Sequence, residues 1–324
     1  MKRHGFRAGD RVVVRSPEEI LSTLDADATL DGLPFMPEML DWCGKLFHVD
    51  RRVEKTCVDV APPADGTRRR FPANDVVILG GPRCDGHGHD GCKHGCRIFW
   101  KEAWLRTVDA GASTTQSSET GLNELGARLK VKSDESHYFC QSTELFKATE
   151  AFTGRHKFWW LRIPFREIQN GDRSVVEILK LFVLWYWQRL RRAATGEPCF
   201  RGPHERTPCE SLGLEPGDLV RIKSRAQIVA TLDQNSRNRG MSICDEMTRF
   251  CGSEAEVRYR VDRIIDERTG AMRALSDTVT LRNIRGSGTL GEECLCQNQM
   301  GDCPRGELMY WREIWLERAN RGGT

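Results

Sequence analysis

An internal repeat constrains this chain more than any other feature of its sequence. Residues 9–25 read GDRVVVRSPEEILSTLD and residues 217–233 read GDLVRIKSRAQIVATLD, an offset of 208 residues. The two copies also end alike, with FWKEAWL at 99–105 and YWREIWL at 310–316. Because the repeats of solenoid proteins are only ~20–50 residues long, this much longer period predicts a duplicated domain.

The repeat divides the chain into segments predicted at residues 1–109, 110–212 and 213–324. Each copy begins with a Gly-Asp turn and a strand in which valine recurs, and further short alternating strands follow. Ser16 and Glu19 have the spacing of a capping box, which predicts a short helix after the first strand. These patterns predict a mainly β fold with some α (α+β), in which two duplicated SH3-like barrel units are joined by a helical middle segment.

The middle segment differs from both copies. Residues 110–136 are rich in Ser, Thr and Gly and predict a loose linker. Residues 174–194 predict a helix whose start is capped by Ser174 and Glu177, and its apolar stretch is too short to span a membrane. Apolar residues on nearly every side favour burial of this helix within the chain. The alternatives are an interfacial membrane helix or a contact with a protein partner or a second copy of the chain.

Composition narrows the class of protein. The chain is 39% hydrophobic and 29% charged, as globular proteins are. Its 49 basic and 46 acidic residues leave a net charge of only +3, which does not require a nucleic-acid partner. No apolar segment follows the charged N-terminus, so a cytoplasmic protein without a secretory signal is expected. In that compartment, thirteen cysteines indicate metal or thiol chemistry rather than disulfides.

The strongest chemical signal is the stretch CDGHGHDGCKHGC at residues 84–96. Its spacing of Cys-x4-His-x2-Cys-x3-Cys is given by Cys84, His89, Cys92 and Cys96. Thiolate and imidazole ligands this close together favour a tetrahedral ion, most simply zinc. The stretch has few apolar residues, so a bound metal would supply its order.

The ligand set stays open at this point. His87 and His94 compete with His89, and Cys57 could reach the ion from the neighbouring strand. Four thiolates would also suit an iron–sulfur cluster, so iron is the alternative metal. The second copy is predicted to carry a degenerate metal loop, in which Cys294, Cys296 and Cys303 precede YWREIWL.

Two further features could carry function. Trp100 and Trp104 frame Glu102 in the motif that closes the first copy, and the second copy repeats the arrangement. The favoured interpretation is a pair of core anchors around a solvated charge, and the alternative is a carboxylate lining a ligand cavity. Cys140 has only His137 near it in sequence, which is weak support for a catalytic thiol.

The chain resembles an uncharacterised family of bacterial proteins. The resemblance rests on Lys55-Thr56-Cys57, the Cys/His/Cys/Cys loop that runs into FWKEAWL, the YWREIWL ending and YFCQSTEL at 138–145. It covers nearly the whole chain and implies an association with biosynthetic gene neighbourhoods, but it implies no reaction. It also favours Cys57 as part of the site.

Three functions are compatible with these features. The leading hypothesis is a cytoplasmic zinc-binding tandem-repeat protein, acting as a binding or accessory protein, with a closed structural metal site. The alternative is a metalloenzyme of bacterial secondary metabolism with an open site, in which Glu102 or Asp90 would be the base. The third is nucleic-acid binding through basic strand faces such as the one bearing Arg51, Arg52 and Lys55, although interspersed acidic residues argue against it.

Overall fold

The structure is a computed structural model and mixes α-helices with a larger number of short β-strands. It describes residues 5–56, 58, 69–108, 118–151, 159–195, 200–243, 247–284, 305–306 and 308–319. The chain forms two compact units, of which the first comprises Met1–Lys180 with Ile265–Arg273 and the second Leu181–Ile264 with Ala274–Thr324.

The first unit is built around a five-stranded antiparallel sheet with the order β7-β6-β4-β1-β8. In chain order, its elements are β1 (Arg11–Val14), α1 (Pro17–Leu21), β2 (Thr29–Leu30), β3 (Leu33–Pro34), β4 (Leu46–Arg52), β5 (Arg69–Arg70), β6 (Val76–Arg83), β7 (Arg97–Lys101), β8 (Leu105–Thr107), α2 (Glu119–Arg128), α3 (Gln141–Ala148), β9 (Glu150–Ala151) and α4 (Trp159–Gln169), followed by α5 (Val175–Thr195). Short 3₁₀ segments at Pro37–Trp42 and Glu102–Trp104 connect the strands.

The second unit contains a five-stranded antiparallel sheet with the corresponding order β17-β16-β13-β10-β18. Its elements are β10 (Leu219–Ile222), α6 (Arg225–Val229), β11 (Arg237–Asn238), β12 (Met241–Ser242), β13 (Glu254–Arg260), β14 (Arg263–Ile265), β15 (Met272–Ala274), β16 (Thr278–Arg282), β17 (Tyr310–Arg312) and β18 (Leu316–Arg318), with 3₁₀ segments at Met247–Phe250 and Glu313–Trp315. The hairpin residues Ile265–Arg273 belong to the first unit.

Local details match between the two sheets. The long strand has an irregularity between Val49 and Arg51 in one sheet and between Val257 and Tyr259, at the corresponding place, in the other. The predicted capping box of α1 is confirmed, because Ser16 and Glu19 hydrogen-bond each other's backbone N–H groups. Ser224 caps α6 in the same way, with Gln227 in place of the glutamate.

The tryptophans of the closing motifs are core anchors, as predicted. Trp100, Trp104, Trp311 and Trp315 are all fully buried. The prediction that the charges between them are solvated is wrong in part, because Lys101 and Glu313 are buried as well. Both are ion-paired, which offsets the cost of removing a charge from water: Lys101 with Asp31 and Asp75, and Glu313 with Arg260.

The middle segment is more helical than its composition indicates. Residues 119–128 form α2, where a linker was predicted; Ser118 caps the helix and Leu125 is fully buried in the core of the first unit. The helix predicted at 174–194 is present as α5, and its capping pair of Ser174 and Glu177 is confirmed. Among its described side chains, the prediction of burial is wrong, since eight large apolar residues from Val175 to Leu190 are 47–66% exposed.

In the described part of the chain, no helix combines the length and the apolar character that a membrane crossing requires.

Candidate metal centre

The cysteine-rich loop connects two neighbouring strands of the first sheet. β6 ends at Arg83 and β7 begins at Arg97, and these two residues are paired across the ladder. The next pair, Cys84 and Cys96, continues the pairing, because the N–H of Cys84 donates to the carbonyl oxygen of Cys96 at 2.9 Å. The two cysteines are therefore neighbours at the base of the loop, although eleven residues separate them in the sequence.

Backbone hydrogen bonds fold the loop back on itself. The carbonyl oxygen of Gly86 accepts from the N–H groups of His89 and Gly91, each at 2.9 Å, and the N–H of Cys92 donates to the carbonyl of His89 at 3.1 Å. Gly86 has φ +72°, and a Cβ atom there would lie 2.1 Å from the carbonyl oxygen of Cys92. A glycine is required at this position for both reasons. The close approach of the Gly86 and Cys92 backbones brings Cys92 near the start of the loop.

His89 occupies the centre of this region and is only 1% exposed. Its Nδ1 lies 2.7 Å from Oε1 of Glu38, a residue of the 3₁₀ segment Pro37–Trp42. Its Nε2 lies 3.2 Å from the carbonyl oxygen of Phe139. Burial acts to raise the pKa of Glu38, but the hydrogen bond and charge of His89 outweigh it and hold that pKa below its ordinary value.

Phe139 leads directly to Cys140, which is 9% exposed and precedes α3. Burial raises the pKa of the Cys140 thiol to about 11, while backbone N–H groups at the start of α3 act in the opposite direction. Burial raises the pKa of Cys84 well above its ordinary value, and the negative charge of Glu38 adds to that effect. The contact of His89 with the carbonyl of Phe139 places Cys140 next to the loop, which its position in the sequence did not reveal.

The structure places the predicted ligands as follows. Cys84, Cys92 and Cys96 lie in one loop, Cys92 is 6% exposed, and no disulfide joins the described cysteines. His89 is buried beside them, but both of its ring nitrogens face hydrogen-bond partners. Cys57 lies outside the described residues. Within the described part of the chain, no group of three or more His, Cys, Asp or Glu side chains is arranged so that it could hold a metal ion.

The competing histidines of the loop lie towards its surface. His87 is exposed, and its Nδ1 is 2.8 Å from Asp85, which raises its pKa against the opposing effect of burial. Asp90, a candidate base, accepts a hydrogen bond from the hydroxyl of Tyr138. His137, the residue considered as a base for Cys140, is held by Asp134 at 2.7 Å instead.

The other candidate base, Glu102, lines a cavity of about 750 Å³ in the first unit. Its Oε1 accepts from the N–H of Phe6 at 2.7 Å and from the guanidinium of Arg52. Glu313 makes the matching contacts in the second unit, where Arg260 and the N–H of Gly213 donate to it. Because the same glutamate–arginine contact occurs at the end of both copies, we interpret Glu102 as a residue that stabilises the fold and not as a catalytic base.

A residue of the second copy contacts this site. Ile265 stands in the repeat where Cys57 stands in the first copy, and it belongs to the first compact unit. Its N–H donates to the sulfur of Cys92 at 3.4 Å. The cysteines of the predicted degenerate loop, Cys294, Cys296 and Cys303, lie outside the described residues.

Two residues of this site were missed by sequence reasoning. Glu38 and the carbonyl of Phe139 lie 51 and 50 residues from His89 along the chain. The signal for Glu38 was present in the repeat, since Glu38-Met39 aligns with Glu246-Met247, but a match between copies does not identify a contact partner.

Comparison with family models, curated proteins and solved structures finds no match to this chain.

Proposed function

We propose that this chain is a zinc-binding protein in which the metal organises the loop at 84–96 of the first unit. The observation that carries the proposal is a single loop in which Cys84 pairs with Cys96 through the backbone and Gly86 approaches the backbone of Cys92 closely, beside the buried Glu38–His89 pair. Thiolates are the preferred ligands of structural zinc, and a loop with few apolar residues gains order from a metal.

The burial of the site favours a structural metal over a catalytic one. Cys92 is 6% exposed and His89 is 1% exposed, whereas Cys84 and Cys96 are half-buried. A catalytic zinc keeps one coordination position open to water or substrate, and this burial argues against such a position. The metalloenzyme hypothesis is therefore second, and nucleic-acid binding gains no supporting contact in the described residues.

The wider role that we propose is that of a cytoplasmic binding or accessory protein built from two duplicated SH3-like units. The matching strand orders and the matching irregularities in β4 and β13 support the duplication.

Metal analysis of full-length protein purified without chelator tests the proposal directly. We expect one zinc per chain and a colourless sample, and we expect Cys84→Ser and Cys92→Ser to lose the metal. Cys209→Ser is the matched control, since Cys209 is exposed and lies in the second unit. Wild-type zinc content in Cys84→Ser would refute the assignment, and iron with visible absorbance would favour redox chemistry instead.

We also infer that α5 binds a second copy of this chain. Five of its eight exposed large apolar residues, Val176, Leu179, Val183, Tyr186 and Leu190, are spaced alternately by three and four positions. That spacing forms the apolar seam of a coiled coil, which buries itself against a helix of the same kind. Sedimentation should show a dimer that Leu179→Glu dissociates, whereas Glu177→Gln, at the capping position, leaves it dimeric; a monomeric wild-type protein would contradict the inference.

A further inference from the structure

The fourth ligand of the metal site lies outside the cysteine-rich loop. We propose that Cys140 completes a four-cysteine site with Cys84, Cys92 and Cys96, and that His89 positions Cys140 instead of binding the metal. This inference rests on the proposed function, because it specifies the ligands of the same metal.

The geometry of His89 argues against its role as a ligand. A histidine that binds a metal needs one ring nitrogen with an unshared electron pair directed at the ion. The Nδ1–Glu38 contact at 2.7 Å is the kind of hydrogen bond that orients a metal-binding histidine. However, Nε2 faces the carbonyl oxygen of Phe139 at 3.2 Å. A carbonyl can only accept, so Nε2 carries the proton in this contact and has no electron pair to offer.

The same contact gives His89 a different task. By bridging Glu38 and the carbonyl of Phe139, it fixes the backbone of the residue directly before Cys140. The ring of Tyr138 packs against that of His89 with centroids 6.4 Å apart, so the preceding residue is held too. The segment that carries Cys140 is therefore fastened to the loop that carries the other three thiols.

Several independent contacts place Cys140 among those thiols. The Cys96 sulfur lies 3.4 Å from the hydroxyl of Ser142, two residues beyond Cys140. Cys84 and Cys96 are backbone neighbours. The contact of His89 Nε2 with the carbonyl oxygen of Phe139 places the residue directly before Cys140 in the same region.

X-ray absorption spectroscopy of the zinc-loaded, full-length protein tests the ligand set without changing a proposed ligand. Zinc–sulfur distances are ~2.3 Å and zinc–nitrogen distances are ~2.0–2.1 Å. We expect four sulfurs and no nitrogen in the wild type and in Cys57→Ser, because Cys57 is not one of the four. A nitrogen ligand in the wild type, or a sulfur lost in Cys57→Ser, would overturn the inference.

Competition with a zinc chelator then assigns Cys140 itself. Since changing a residue that orients a ligand costs ~10–100-fold in metal affinity, we expect Cys140→Ser to lower the zinc affinity by more than that. Cys43→Ser is the control, because Cys43 is also a buried thiol of the first unit and its pKa is raised by burial to about 12. Equal zinc affinity in Cys140→Ser and Cys43→Ser would refute the role of Cys140.

His89 is tested by two substitutions. The amide of His89→Gln can still donate to the carbonyl of Phe139, whereas His89→Ala cannot. We expect His89→Gln to retain four sulfur ligands and to bind zinc more tightly than His89→Ala. Loss of one ligand from the zinc shell in His89→Gln would overturn the positioning role, while a wild-type protein without any metal would overturn the proposed function and this inference together.

Discussion

Asp172 should make the stability of the first unit depend on pH near neutrality. This residue lies in the turn between α4 and α5, where its Oδ1 accepts the N–H of Arg52 at 2.9 Å and its Oδ2 is buried without a described hydrogen-bond partner. Burial, together with the negative charges of Glu167 and Glu54, raises its pKa from 3.8 to about 7. The folded protein therefore binds this proton more tightly than the unfolded chain does.

The sign and the size of the effect follow from this difference. The stabilisation is fully present below pH ~4, where both states are protonated, and it is lost as the pH rises through the folded-state value. A difference of about three pKa units, at ~1.4 kcal/mol each, corresponds to an upper limit of ~4 kcal/mol. The loss should be complete slightly above pH 7.

The substitution Asp172→Asn isolates this contribution, because an amide does not titrate and keeps an oxygen for the N–H of Arg52. Urea unfolding of both full-length proteins from pH 4 to pH 8 should give free energies that diverge with pH. The variant should be more stable at pH 8 by up to ~4 kcal/mol and close to wild type at pH 4. Parallel curves over this range would refute the reasoning.

A control separates this effect from other titrations. Backbone hydrogen bonding, with Ser136 as the largest cause, lowers the pKa of Asp134 to about 2, so Asp134→Asn should not change the slope between pH 5 and pH 8. Carboxylates such as Glu38 are present in both proteins and cancel in the comparison.

Two further pairs of substitutions test the symmetry of the fold and the geometry of the loop. Trp104 Nε1 donates to Thr23 Oγ1 at 3.1 Å, and Trp315 Nε1 donates to Thr231 Oγ1 at 3.0 Å. Thr23→Val and Thr231→Val should therefore each lower the free energy of unfolding in urea by ~1–2 kcal/mol. An effect of only one of the two substitutions would contradict the equivalence of these contacts. Gly86→Ala should destabilise the protein more than Gly91→Ala, because both glycines have positive φ but only a Cβ atom at position 86 would clash with Cys92. Gly91→Ala should lower the free energy of unfolding by ~1–2 kcal/mol. Equal losses of stability in the two variants would show that the close approach at Gly86 is not required.

The parts of the fold that were predictable from sequence depend on contacts that are local or that occur twice. The capping box of Ser16 and Glu19 spans three residues, and the tryptophan motifs end both copies, so pattern alone indicates them. The helix α2 was missed because its ten residues contain only two leucines, and its amphipathic pattern is weak against the surrounding Ser and Thr.

The metal ligands were less predictable than the fold, because the spacing of residues in a sequence shows only which side chains of one loop could bind the same ion. His89 has the right separation from Cys92 to share an ion with it, and nothing in the sequence shows that Phe139 occupies its second nitrogen. Cys140 looked isolated for the converse reason, since its neighbours come from a hairpin more than forty residues earlier. In both cases tertiary contacts, which no local pattern encodes, decide the role of the side chain.

The contrast between recurring and unrepeated contacts separates the residues that serve the fold from those that serve a site. Glu102 and Glu313 are held by arginines at corresponding positions of the long strands, and a contact kept in both sheets is required by the sheet itself. The bridge from Glu38 through His89 to Phe139 differs, because Phe139 comes from the middle segment, which occurs once in the chain. The middle segment is thus more than a connection between two copies, because it supplies the carbonyl group that contacts His89 and carries Cys140 next to the loop.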